Sequence, residues 1–174
     1  MLDQLQHTGK RTSVKIILWA GLLVGTLDIL SAFVDYYIAT GKNPLAVLTF
    51  VASGVFGESA FAGGAGTMLL GLLFHYVIAF SFTILFFWLF LNTKLLPRNT
   101  IITGVIYGLF IWAVMNLVVV QLCNAPHASI KDMKMAKVIK AMLILIFMIG
   151  LPLSFIAQKY FSGNGKEKVN GFPD

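Results

Sequence analysis

The amino-acid sequence predicts an all-α, polytopic membrane protein with four transmembrane helices and a short interfacial or re-entrant helix between the first and second. Three observations predict it. Of 174 residues, 58% are hydrophobic and 11% charged, and the mean hydropathy is +0.86, far from the even mixture of a soluble domain. Four apolar runs reach the roughly 20 residues that a helix needs to cross a hydrocarbon core of about 30 Å with its backbone polar groups satisfied internally. Outside them only short segments remain, with no stretch large enough for a soluble domain.

The first span covers 14–39 (VKIILWAGLLVGTLDILSAFVDYYIA), with Asp28 near its middle and Asp35, Tyr36 and Tyr37 toward its end. The second covers 67–91 and is interrupted only by His75 and small hydroxyls. The third covers 101–122, with Asn116 and Gln121 late in it, and the fourth covers 138–157, with Gly150 and Pro152. Residues 1–13 and 158–174 are polar and are expected to be tails. Lys10, Arg11 and Lys15 precede the first apolar run as in a signal peptide, but that run is too long and lacks a clean small-x-small site.

Four spans place both termini on one side, and basic residues orient them. Lys10, Arg11, Lys15, Lys94, Arg98, Lys159, Lys166 and Lys168 fall on the side of the termini, against Lys42, Lys131, Lys134, Lys137 and Lys140 on the other. The majority predicts cytoplasmic termini. The net charge of +6 is therefore read as loop anchoring, with no nucleic-acid partner expected. The lysines of KDMKMAKVIK recur every third residue, spread around a helix and are expected to reach headgroups, where they could hold anionic lipid. Trp19, Tyr36, Tyr37, Trp88 and Tyr160 lie near span ends as interfacial anchors do.

Between the first two spans, Asn43 is a candidate N-cap, Pro44 suits a first helical position and Gly57 a stop. The helix so delimited, 44–56, would rise only about 18 Å, too little to cross. Glu58 is expected near water, and the GGAG run leads into the second span. Of the two placements, interfacial is preferred, because re-entrant backbone needs protein or water to cover it.

A carboxylate in mid-bilayer costs roughly 2.5–3.5 kcal/mol, which the apolar residues of the first span outweigh. Helical spacing puts Gly21, Gly25, Asp28, Ala32 and Asp35 on one face with little side-chain volume, so Asp28 should look toward another helix. A second stripe holds Gly64, Gly71, His75, Ala79 and Phe82, and a third Gly104, Gly108, Trp112 and Asn116. Asp28, His75 and Asn116 are therefore the candidate intramembrane polar cluster, an acid and an imidazole steadied by an amide, with Asp35 and Glu58 as secondary candidates. Gly21, Gly25, Gly71, Gly104 and Gly108 are candidate packing positions, and Pro152 should kink the last helix.

Inventory argues against an enzyme. Of His7, His75 and His127 only His75 lies well within a span, which leaves no pair for bis-histidine haem. Nucleotide loops, nucleophile elbows, HExxH and paired catalytic carboxylates are missing from the sequence, and the single Cys123 has no zinc partners. No cofactor and no metal are expected. Ser53 reads as a small helix residue.

Four motifs, GTLDI, ASGVFGESAFAGG, GLLFHYVIAF and YGLFIWAVMN, in this order, resemble the YagU-like group of small bacterial inner-membrane proteins over about residues 14–157. The resemblance implies a four-helix protein of the bacterial inner membrane and carries Asp28, Glu58, His75 and Asn116 as candidate positions, without a catalytic assignment. Two functions fit the residues. One is sensing or conducting protons, a cation or a small polar solute through the Asp/His/Asn cluster, with subunits assembling through glycine-lined faces. The other is a non-transporting accessory subunit or lipid-binding scaffold of a larger membrane complex, in which the polar groups only lock helices together.

Overall fold

The computed structural model describes residues 2–92, 96, 99–124 and 135–162. Lys94, Arg98, His127, Lys131, Lys134 and the tail beyond Ser162 lie outside the described residues. The architecture is helical and follows the expected order: α1 (Leu2–Thr40), α2 (Ala46–Phe56), α3 (Gly64–Asn92), α4 (Thr100–Leu122) and α5 (Met135–Tyr160). Four of these, with α1 counted from Val14, are long and apolar enough to cross a membrane. The first helix reaches back to Leu2, where a tail was expected, and helix continues through Ser162 at the other end. Polar residues with adequate helix propensity continue a helix once the apolar span has nucleated it.

Local chemistry sets the boundaries. Helix α2 starts at Ala46 with Leu45 at its N-cap position and no side-chain cap, two residues later than expected; the Asn43 side chain accepts from the Leu45 N–H at 3.0 Å in the turn ahead of it. Helix α2 stops at Gly57, whose φ of 62° is open to glycine without the Cβ clash other residues would suffer. A 3-10 turn, Gly57–Ala62, then carries the chain into α3 and leaves Glu58 exposed. Asn99 caps α4, its Oδ1 accepting from Ile101 and Ile102 at 3.0 and 3.2 Å. Helix α5 carries a π-helical segment, Ile146–Gly150, whose closing bond runs from the Leu151 N–H to the Ile146 carbonyl. This wider turn lies just ahead of Pro152, which has no N–H to offer the regular ladder.

Packing is tightest where glycines remove side chains. A Cβ on Gly150 would lie 2.1 Å from the Gly104 carbonyl oxygen, and one on Gly108 2.6 Å from the Ile146 Cα, so α4 and α5 touch backbone to backbone. Gly21 and Gly25 meet Phe80, Tyr76 and Ala79 of α3. Gly71 meets the backbone of Leu48 in α2. The stripes read from the sequence thus serve contacts within the chain, and these faces are not open to a neighbouring subunit. Gly64 is the exception: it starts α3 with φ of 60° and has open space around it.

Helix α2 is held on two sides. Leu48, Thr49, Ala52 and Ser53 are buried, and its far end is tied to the end of α4 by the Asn124 N–H donating to the Gly54 carbonyl at 3.0 Å. It meets α3 at Gly71, two turns inside that helix's start, while Phe50, Val55 and Phe56 on its other side are exposed. The densest core lies in the opposite half of the bundle, where Ala20, Val24, Phe86, Phe87, Tyr107, Ile111 and Leu153 pack. There the rings of Phe86 and Tyr107 meet edge on at 4.8 Å, and the Tyr107 hydroxyl donates to the Phe82 carbonyl at 2.5 Å. The bundle is solid toward the end of α3 and hollow toward its start.

Candidate functional site

Asp28 stands where the packed half gives way to the hollow one, on two adjoining cavities. The central cavity has a volume of about 200 Å³, and all five helices contribute to its wall, among them Asp28, Val51, His75, Phe82, Ile111 and Ile149. The second, about 330 Å³, lies between α1, α4 and α5 and is lined by Asp28, Asp35, Trp112, Asn116, Lys137 and Lys140 among others. It forms a vestibule toward the connector side of the bundle. Asp28 and Leu145 belong to both walls.

The two halves of the α1 stripe explain this position. Gly21 and Gly25 draw α1 onto α3, and one turn further Asp28, Ala32 and Asp35 turn the same face to open space. His75 is held from the other side. Buried on α3, it donates through Nε2 to the Gly25 carbonyl at 2.8 Å; because a carbonyl can only accept, that nitrogen carries a proton, and Nδ1 is the ring nitrogen left for another partner. Next to it, the Tyr76 hydroxyl and Thr26 Oγ1 bond at 2.9 Å, a second tie between α1 and α3.

The polar cluster therefore divides differently from its expected form. Asp28 and His75 share the central cavity, and Asp28 and Asn116 share the vestibule, but Asn116 and His75 meet in neither. Asn116 sits in a π-helical segment, Met115–Val119, and its amide donates to the carbonyl of Trp112 at 2.9 Å, so its hydrogens serve its own helix rather than the acid–imidazole pair. Asp35 pairs with Lys140 at the vestibule mouth, both groups partly exposed. Glu58 lines neither cavity.

Lys140 is the residue the sequence reading placed elsewhere, among headgroups. Its role was legible in one respect: Lys137, Lys140, Ala141, Ile144 and Leu145 recur at helical spacing, and all five line the vestibule, as one inward stripe of α5. Among the described residues the Asp28 carboxylate makes no hydrogen bond or close ion pair; its electrostatic neighbour is His75, and it faces the two cavities. Among the same residues no group of three or more His, Cys, Asp or Glu is placed to hold a metal ion. The central cavity thus holds a carboxylate and an imidazole among otherwise apolar walls, inside a membrane-type helical bundle. No family model, no curated protein and no solved structure matches the chain.

Proposed function

We propose that this integral membrane protein, seated in a bacterial inner membrane with cytoplasmic termini, passes a proton or a small cation by way of Asp28. The observation that carries the reading is that one carboxylate belongs to the walls of both the vestibule and the central cavity. Charged groups inside a span are costly enough to mark ion or solute paths by default. Here the vestibule offers an ion pair and an amide at its mouth, Asp28 at its floor, and His75 beyond. Two π-helical segments, Met115–Val119 and Ile146–Gly150, contribute Met115, Asn116 and Ile149 to these walls, where such turns often accompany function; a third, Gln158–Ser162, contributes to neither cavity. The aromatic packing of Phe86 and Tyr107 closes the opposite half, so passage requires that plug to yield. Membership in the YagU-like group, on the four motifs quoted above, is part of the same proposal.

The test is transport by the full chain in sealed liposomes, reading internal pH with a trapped dye and uptake of labelled methylammonium under an inside-negative potential. Asp28→Asn should abolish the flux that wild type carries while leaving the melting transition in place. Equal flux through both proteins overturns the reading. One observation favours a second role, that of an accessory scaffold: His75 spends a proton on Gly25 and so already acts as interhelical glue. Copurification in fixed ratio with a larger complex, without flux, would establish that role.

A further inference from the structure

The central cavity offers two polar side chains, an acid that accepts hydrogen bonds and an imidazole whose Nδ1 also accepts whenever the ring is neutral. Asp28 presents a carboxylate, and His75, its Nε2–H committed to Gly25, presents Nδ1. The remaining wall is aliphatic and aromatic, including Val51, Ile78, Phe82 and Ile149. A ligand that satisfies such a chamber must donate hydrogen bonds, carry positive charge and bring apolar surface; anions and neutral acceptors find nothing to bind. A hydrated metal ion would face mostly hydrocarbon.

Size narrows the class further. An apolar cavity of about 150 Å³ accommodates benzene, so about 200 Å³ accepts one ring or branched chain plus a short aminoalkyl group. We propose that the central cavity binds a small lipophilic primary amine in its ammonium form, with the nitrogen between Asp28 and His75 and the apolar part against Ile78, Phe82 and Ile149. This names the substrate class of the site described above and rests on reading Asp28 as a cation site. The vestibule, with Asp35 and Lys140 at its mouth, is the aqueous approach, and the ammonium exchanges water for the carboxylate at its floor.

The experiment is calorimetric titration of the full-length protein in lipid nanodiscs with phenethylamine, corrected against empty nanodiscs, and with 2-phenylethanol as the neutral isostere. Saturable binding of one amine per chain is expected, with 2-phenylethanol and the Asp28→Asn variant each weaker by about tenfold or more, as expected for losing a charge-assisted hydrogen bond. Ile78→Phe, which leaves the acid in place and fills the chamber from a half-buried position, should weaken the amine similarly and keeps the test decisive if Asp28→Asn does not fold. Absence of saturable binding, equal affinity for the alcohol, or unchanged affinity in Ile78→Phe overturns the inference. Asp28-dependent proton or methylammonium flux without phenethylamine binding rejects the amine and leaves the cation path standing. Phenethylamine binding that needs Asp28, without flux, supports the amine and rejects the path.

Discussion

A methyl group added at position 71 would lie 1.9 Å from the carbonyl oxygen of Leu48 and 2.8 Å from its carbonyl carbon. Ordinary carbon contacts begin near 3.5 Å, so Gly71→Ala requires α2 to retreat by about 1.5 Å, and backbone cannot rotate aside as a side chain can. Forcing a methyl group into packed structure costs about 1–3 kcal/mol, against which alanine recovers about 1 kcal/mol of helix propensity. Gly66→Ala makes the same chemical change in the same helix, where nothing lies within 4 Å. The propensity gain is common to both, so the difference between the variants isolates the clash and is expected at about 1–3 kcal/mol. Reversible unfolding of the purified protein in mixed micelles, followed by tryptophan fluorescence, measures it. Because Val51 is carried by α2 and lines the central cavity, Gly71→Ala should also reduce Asp28-dependent flux, while Gly66→Ala leaves it intact. Equal stability of the two variants would mean that α2 is not seated on α3 at this point, and the five-helix wall of the cavity would have to be abandoned.

Other contacts give sharper or softer responses. Gly150→Ala drives a methyl against the Gly104 carbonyl oxygen, whereas in Gly21→Ala the obstacle is the ring edge of Phe80, which can swing; the first should lower stability by about 1–3 kcal/mol more than the second in the same unfolding assay. Tyr107→Phe removes the donor to the Phe82 carbonyl and should cost about 0.6 kcal/mol, at most about 1.7, the range of interhelical bonds in membranes. Asp35→Ala breaks a partly exposed ion pair and should change stability by less than about 1 kcal/mol, yet alter flux in a salt-dependent way. Unaltered flux at low and high salt would remove the vestibule from the path.

The candidate site was half legible in the sequence. Asp28 and His75 were findable because an ionisable residue amid apolar ones must turn away from lipid, and the glycines one and two turns before Asp28 showed which way. Asn116 obeyed the same rule, and its stripe does face inward, yet it looks into a different cavity from His75. Helical spacing yields the angle of a residue around its own axis and says nothing of how far one helix slides or turns against the next. Lys140 was assigned to headgroups because lysine near a span end usually snorkels; only the approach of α5 to α1 reveals Asp35 as its partner. The acceptor that fixes the proton of His75 is a backbone carbonyl, and every residue has one, so no sequence signal marks Gly25 in that role.

Sequence by itself determined that the chain forms four membrane-type spans and one helix too short to be a fifth, because hydrocarbon tolerates only helical backbone of sufficient length and apolarity. It also determined which few residues must face inward. Tertiary structure alone decided that Asp28 stands between two cavities, that the glycine faces are spent inside the chain, and that α2 completes the central wall. Those outcomes depend on close backbone contacts, such as Gly71 against Leu48 and Gly150 against Gly104. Contacts of that kind arise from the fit of one surface to another, a property of pairs of helices that neither strand of residues carries in its own composition.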